Sequence, residues 1–326
     1  MDLSSTFMGI KIANPLIVSS SGLTDNIDSI KACADNGAGA VVLKSLFEEQ
    51  LITGKADMFN QDEMYFWYPE AIQFVNSQSK EGGLADYLKL IENAKKAVNI
   101  PVFASINCVT SEEWPKFAGE MEKAGADGLE LNIFIPPTNL NLTGYKMEET
   151  YVDIIHEVRK NISIPLAVKV GFYFTNLYRM LYRISNMDVN SLVMFNRYYR
   201  PDIDIDTMRV VAQNVYSSPI EITLSLRWIA LISSRIHTEI VAATGIHDFQ
   251  GVVKQLLAGA TSVQLCSTLY KNGITHLGVI LKDLENWMKL KGYENLDAFR
   301  GLVAKNEANT AAFERVQFMK KSIGLI

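Results

Sequence analysis

The sequence predicts a (β/α)8 TIM barrel, on three observations. Eight short β-branched and aliphatic runs recur along the chain, a stretch of helical periodicity follows each, and Gly-Ala turns join helix ends to the next strand. Alternating strand and helix patterns argue for βα units in a parallel sheet, and eight units are the number that closes a barrel. The strand runs fall at 15–20, 40–45, 101–106, 128–133, 165–170, 191–196, 239–244 and 262–267. The helical patterns fall at 26–36, 84–98, 111–124, 147–161, 176–185, 228–235, 249–257 and 274–291. Thr110-Ser-Glu-Glu shows the expected start signal, a hydroxyl cap with early acids that satisfies orphan N–H groups and the helix dipole. The turns at Asn36-Gly-Ala, Ala124-Gly-Ala and Ala258-Gly-Ala place glycine where a helix ends in left-handed backbone. A doubly wound sheet also uses such turns, so they support parallel α/β more firmly than they support closure. Two excursions, 46–82 and 196–224, break the spacing, and insertions of this length usually cover the C-terminal mouth of a barrel. Residues 1–326 are read as one domain, without a low-complexity linker.

Composition bounds the function. The 326 residues carry 31 basic against 36 acidic side chains, a net charge of −5, so the positive field of a nucleic-acid binder is missing. Cys33, Cys108 and Cys266 are too few and too scattered for a disulfide framework or a cysteine zinc site, which fits a reducing cytoplasm. The N-terminus lacks a basic and apolar leader, and no apolar run is long enough for a membrane span, so neither export nor membrane insertion is expected. His156, His237, His247 and His276 have no metal-ligand spacing, and no metal is expected; His247, which follows Thr-Gly-Ile at a strand end, is the one histidine retained for a functional role.

Chemistry-bearing residues gather at the strand ends. Lys44 and Lys169 follow aliphatic residues on the second and fifth strands. A lysine there is either a snorkelling stem or barrel ion pair, or it reaches the mouth, and two at matching places favour a shared anionic ligand. Asn107, Asn132 and Asn196 close the third, fourth and sixth strands. One asparagine would be a strand terminator bonded to its own backbone; three at one end suit a planar heterocycle with imide edges. Ser19-Ser-Ser-Gly, Thr244-Gly-Ile and Cys266-Ser-Thr supply small residues where backbone N–H groups can face a ligand, and the loops after strands 7 and 8 often form a phosphate site. Tyr65, Phe66, Trp67 and Tyr68 are read as a packed flap or dimer contact.

With Asn-Pro-Leu-Ile-Val-Ser-Ser-Ser-Gly-Leu (14–23), Val-Leu-Lys-Ser (42–45), Gly-Ala-Asp-Gly-Leu-Glu-Leu-Asn (125–132), Leu-Ala-Val-Lys-Val (166–170) and the Ala-Thr-Gly-Ile and Val-Gln-Leu-Cys-Ser pair, the chain resembles the dihydroorotate dehydrogenase family from about residue 3 to 300. It is most similar to the soluble class 1 enzymes; the membrane-associated class carries a helical extension before the segment at which this sequence begins. The resemblance implies an FMN-binding barrel and a homodimer, with an iron–sulfur/FAD electron-transfer subunit as a further possible partner. Ser20, Ser21, Lys44 and Ser45 match positions around the flavin. Lys169 matches the lysine at the flavin's N1–C2 edge, where a fixed cation stabilises the charge that builds up on reduction. Asn107, Thr244, Gly245, Cys266 and Ser267 are expected on the flavin side, while Asn76, Asn132 and Asn196 match amides that hold the substrate ring.

The departures bear on catalysis. Where the family reads Asn-x-Ser-Cys-Pro-Asn, with the cysteine of class 1 as the base, this chain reads Asn132-Ile-Phe-Ile-Pro-Pro-Thr-Asn. Ile135 therefore occupies the base position and Pro137 that of the second amide, and neither accepts a proton. Asn76-Ser-Gln-Ser-Lys-Glu-Gly replaces Asn-x-x-Gly-x-x-Asn; Leu226 stands for a usual glycine and Thr244-Gly245 for Gly-Gly. Cys108 and Thr110 after strand 3 are the substitute proton acceptors considered. The expected function is FMN-dependent oxidation of dihydroorotate or a related small ring, by hydride transfer to flavin N5. The alternatives are a flavin-binding member with a diverged substrate or no catalysis, and a Schiff-base lyase using Lys44 or Lys169.

Overall fold

The computed structural model describes residues 1–47, 83–108, 114–135, 137–198, 200–212, 214–305 and Phe313. Asn76, the aromatic run 65–68, Thr110 and the side chain of Cys108 lie outside the described residues.

A short antiparallel hairpin, β1 (Ser5–Phe7) and β2 (Ile10–Ile12), precedes the barrel. The barrel strands follow as β3 (Leu16–Val18), β4 (Ala40–Val42), β6 (Val102–Cys108), β7 (Gly128–Ile133), β8 (Leu166–Val170), β9 (Ser191–Met194), β12 (Glu239–Ala243) and β13 (Ser262–Leu265), all parallel. β5 (Leu46–Phe47) extends the line of β4 along β6, while β10 (Asp202–Asp204) and β11 (Arg209–Val211) form a separate antiparallel hairpin. Pairing runs in order from β4 through β3, β13, β12, β9, β8 and β7 to β6, and Val41 opposite Val102 with Val42 opposite Phe103 closes the cylinder. The expected (β/α)8 barrel is therefore the fold.

Outside it lie α1 (Ile27–Asp35), α2 (Gly83–Ala97), α3 (Trp114–Lys123), α4 (Gly144–Arg159), α5 (Leu177–Ser185), α6 (Ile222–Ile232), α7 (Phe249–Ala258), the short α8 (Ser267–Asn272) and α9 (His276–Lys291). Their starts are chemically marked: Asn26, Thr143, Asn176 and Asp248 each accept a bond from a backbone N–H in the first turn. The three Gly-Ala turns are left-handed as expected, with φ of 92°, 94° and 109° at Gly37, Gly125 and Gly259. Boundaries differ from the sequence pattern at several elements, and two of these differences bear on the site. α6 starts at Ile222 rather than 228, because Pro219–Glu221 forms a 3-10 turn that runs into it and Ile222, Ser225, Ile229 and Ile232 share its buried face. The last strand ends at Leu265, and Ser267 already begins α8.

Side-chain alternation along each strand separates two cores. Leu16, Val41, Ala104, Leu131, Val168, Leu192 and Ala242 face the helices, whereas Ile17, Val42, Phe103, Ala167, Val193 and Val241 fill the barrel interior. The β1–β2 hairpin plugs the N-terminal end with Phe7, Met8 and Ile12, and Phe7 meets Phe103 edge-on at 4.6 Å between ring centres. Two residues further along the same inward rows, the chemistry changes. Ile17 is followed by Ser19, Val42 by Lys44, Phe103 by Ser105 and Asn107, and Ala167 by Lys169. The interior is apolar at one end and polar at the C-terminal end, which places the site. Among the described residues no helix is long and apolar enough to cross a membrane.

Candidate functional site

A cleft opens at the polar end of the barrel. Ser20, Lys44, Ser45, Asn107, Asn132, Lys169, Asn196, Thr244, Gly245, Cys266 and Ser267 all line it. Ser21 does not: it is buried, its hydroxyl donates to the Ser19 carbonyl and accepts from the Leu23 N–H, and it caps the turn Gly22–Thr24. Ser19, one position earlier on the inward row, takes the cleft position instead. Ile135 is half-buried against the outer core and is not part of the cleft wall. Its N–H donates to the Tyr151 hydroxyl at 3.3 Å, and burial pushes that phenol up to about 12, so it remains neutral. Leu226 lies within α6 and packs on the core, away from the cleft.

The floor is built from four inward side chains on four strands. Lys169 Nζ donates to Gln264 Oε1 at 3.0 Å, to Ser19 Oγ at 3.2 Å and to Glu130 Oε1 at 3.4 Å. Ser19 Oγ donates to Gln264 Oε1 at 3.1 Å, and Gln264 Nε2 donates to the other Glu130 oxygen. All three ammonium hydrogens thus have acceptors, and an incoming acceptor would take over one of them. Beside this group, Ser20 Oγ lies 3.0 Å from Ser45 Oγ, which is 2.7 Å from the buried Ser105 Oγ. Lys44 lies 3.8 Å from the Asp25 carboxylate.

Three carboxamides stand along the rim of β6, β7 and the end of β9. Asn196 Nδ2 donates to Asn132 Oδ1 at 2.8 Å, which fixes both amide planes. Among the described residues, the buried Asn107 amide nitrogen has no hydrogen-bond partner although the residue lines the cleft. An orphaned buried donor is costly, so an acceptor that reached it from the cleft would be held there.

At the opposite end, Thr244 and Gly245 carry φ of 74° and 78°, and Thr244 Oγ1 donates to the Phe195 carbonyl at 3.0 Å. This turn brings main chain to the cleft wall beside Cys266 and Ser267. Ser217, also in the wall, donates its N–H to Ser267 Oγ at 2.9 Å, and its carbonyl accepts from Lys271 Nζ at 2.8 Å. Ser217 Oγ lies 3.1 Å from His247 Nε2. Burial lowers the His247 pKa and the Lys271 charge lowers it further, against an opposing pull from Asp248. Hydroxyls, a lysine and exposed main chain make this end suitable for an anionic tail.

An aromatic wall covers the amide side. Tyr198 lies tilted over Phe134 at 4.1 Å and stacks on Tyr173 at 5.2 Å, and a side chamber of the cleft is lined by Phe172, Tyr173, Phe195 and Tyr198 with Arg197 and Arg200. Arg197 ties the wall to the 214–221 segment, donating to Glu221 Oε2 at 2.9 Å and to the carbonyls of Asn214 and Val215. Burial raises the Glu221 pKa, but the Arg197 bond, the Ser218 N–H and both arginine charges outweigh it, so the carboxyl stays below its ordinary value. Sequence reasoning named Ser19 only as a main-chain donor, missing its hydroxyl, and missed Gln264, Arg197 and Ser217. The first two could have been found by extending the strand alternation one step; the others come from irregular loops, where no periodicity points inward. Among the described residues, no cluster of three metal-ligating side chains occurs.

The family model for dihydroorotate dehydrogenase matches residues 2–288. The catalytic subunit of dihydroorotate dehydrogenase B (NAD(+)) from Thermoplasma volcanium is 26% identical over 318 residues, spanning 93% of this chain and 99% of its own. The corresponding subunit from Thermoplasma acidophilum is 24% identical, with 93% and 99% covered. A putative dihydroorotate dehydrogenase A (fumarate) from Aeropyrum pernix is 23% identical, with 92% and 97% covered.

Proposed function

The chain belongs to the dihydroorotate dehydrogenase family of oxidoreductases, and on that premise we propose that it binds FMN along the cleft and oxidises dihydroorotate or a closely related flat ring. The observation that carries the reading is the donor set: a buried lysine, an orphaned Asn107 amide and a main-chain turn at the anionic end, all on one cleft. Those groups fit FMN, whose ring edge offers acceptors and whose tail is a phosphate. When bound, FMN supplies the hydride acceptor for a CH–CH bond.

The residues present would then divide the work. Lys169, held by Ser19, Gln264 and Glu130, fixes a positive charge at the floor. Asn107 supplies a donor to the ring edge. Ser217, Ser267 and the Thr244-Gly245 turn hold the phosphate end, with Lys271 behind them. Asn132 and Asn196 orient the substrate ring, and the Phe134–Tyr198 pair excludes water above it. The ammonium of Lys169, engaged with three acceptors, is poorly suited to attack a carbonyl, which disfavours a Schiff-base lyase at that lysine.

A second reading, a substrate ring other than dihydroorotate, is favoured by one observation. Bulky Phe134 and Ile135 stand where the family motif has serine and the base cysteine, and Phe134 is sealed by Tyr198. Anaerobic bleaching of the FMN-loaded protein separates the readings. Bleaching of wild type by dihydroorotate supports the proposal and shows that another group takes the proton. Losing a general base costs ~10²–10⁴-fold, so bleaching that appears only with Ile135→Cys assigns lost chemistry to that position. No bleaching by either protein, with no orotate binding, sinks the dihydroorotate assignment. We further take the chain as one cytoplasmic domain working as a homodimer. The relatives' designation as catalytic subunits supports an electron-transfer partner as well. Light scattering that gives a monomer at micromolar concentration would remove the dimer.

A further inference from the structure

We propose that Glu130 is a positioning residue whose buried carboxylate sets the charge that Lys169 presents to the flavin; this rests on the FMN reading above. Glu130 has 0% exposure and sits on β7, beneath the cleft, whereas Lys169, Gln264 and Ser19 all reach the cleft surface. One carboxylate oxygen accepts from Lys169 and the other from Gln264, and Gln264 in turn accepts from Lys169 and Ser19. The four side chains form a closed ring across β3, β7, β8 and β13.

Stability alone does not account for such a ring. A fully buried ion pair loses on desolvation much of what it gains by attraction, and apolar residues of similar size commonly serve a core as well or better. The arrangement does two other things. It fixes the ammonium from three sides, and it puts a negative charge directly behind the positive one. A ligand on the cleft floor therefore feels the positive end of a buried dipole rather than an uncompensated cation. Reduction adds negative charge to the flavin ring, so the balance between Lys169 and Glu130 sets how readily the ring accepts electrons. A bare lysine would make the bound flavin more oxidising; the pair holds it lower.

Sulfite tests this without substrate turnover. It donates its lone pair to flavin N5, an S–N bond forms, nothing leaves, and the ring gains negative charge, so its affinity reports the field at the floor. Glu130→Gln keeps the size and an acceptor for Lys169 while removing the charge. We expect it to bind sulfite at least about tenfold tighter than wild type and to raise the two-electron flavin potential by about 30 mV or more, the same tenfold factor in an equilibrium constant. Lys169→Met should shift both quantities in the opposite direction, and Glu130→Asp, which keeps the charge, should stay close to wild type. Glu130→Met provides a second route should Glu130→Gln fail to fold: it also removes the charge behind Lys169 and should tighten sulfite binding at least tenfold. If Glu130→Gln folds and alters only thermal stability, with sulfite affinity and potential within twofold of wild type, Glu130 is structural and the proposal fails. An unchanged sulfite affinity in Glu130→Met overturns it equally. Wild type that retains no FMN on reconstitution, read from flavin absorbance before sulfite is added, overturns the cofactor reading and this one with it.

Discussion

Thr244 shows how a single residue can hold a backbone conformation it does not favour. Its φ of 74° is left-handed, a region that costs an L residue roughly 1–2 kcal/mol and that β-branched side chains rarely enter. Its hydroxyl offsets part of this by donating to the Phe195 carbonyl, a bond worth about 0.5–1.5 kcal/mol. Thr244→Gly removes both terms and should leave stability within about 1 kcal/mol of wild type. Thr244→Val keeps the strain and loses the bond, and should cost about 1 kcal/mol; urea unfolding of both variants checks the order. His247 lends the same end of the cleft a pH dependence. Its folded pKa lies below the ordinary ~6.5 because burial and Lys271 oppose the cation. The unfolded chain therefore binds the proton more readily, so stability is fully present above about pH 6.5 and is lost as pH falls through the folded value. Wild type should lose more unfolding free energy than His247→Asn between about pH 7.5 and 5, and an equal loss would remove His247 as the cause.

At the scale of elements, the junction between β12 and α6 decides where the cleft ends. Gly245 has φ of 78°, and a Cβ placed on it would lie 2.1 Å from the Ile222 nitrogen and 2.7 Å from the Glu221 carbonyl carbon. Both neighbours are backbone, which cannot turn aside. Gly245→Ala should therefore destabilise by roughly 2–4 kcal/mol, from overpacking together with left-handed strain, and should displace the start of α6 from the turn. Urea midpoints read the first effect and loss of retained flavin the second. This junction was only half legible in the sequence. The Thr-Gly-Ile signal marked the turn, but Ile222 to Leu224 read as part of an excursion because Pro219 and β-branched residues mask a helix whose buried face only packing reveals. By contrast Lys44, Lys169 and Asn107 were legible, because each sits in step with an inward apolar residue, Val42, Ala167 or Phe103, and period-2 alternation carries it to the mouth, while Asn132 shares the inward row of Glu130. Ser21 shows the limit of motif matching: its neighbour Ser19 shares the inward row, while Ser21 is spent on capping a turn.

Across the whole molecule, closure was the step that sequence could support but not establish. Strand and helix counts and Gly-Ala turns suit an open sheet equally; what closes the barrel is the pairing of Val41 and Val42 with Val102 and Phe103, and register has no signature in composition. Two residue pairs between β4 and β6, with two more where β5 continues along β6, make that seam, against six between β6 and β7. The plug of Phe7, Met8 and Ile12 reaches Phe103 from inside, so opening the seam would also expose the interior core. We therefore expect the described barrel to unfold in one transition, not as separable halves. The cleft is lined from β3, β4, β6, β7, β8, β12 and β13 together, so a ligand bound there is lost with the barrel and stabilises all of it. Binding to the folded state alone adds RT ln(1 + [L]/Kd), about 2.7 kcal/mol at a hundredfold excess over Kd. For a chain of 326 residues this is a rise of roughly 4 °C in Tm, given about 2.1 cal/mol/K of unfolding entropy per residue. Calorimetry with and without added FMN should show a single peak that moves upward by that order. Two peaks of which FMN shifts only one would place the cofactor on part of the chain and end the reading of residues 1–326 as one domain.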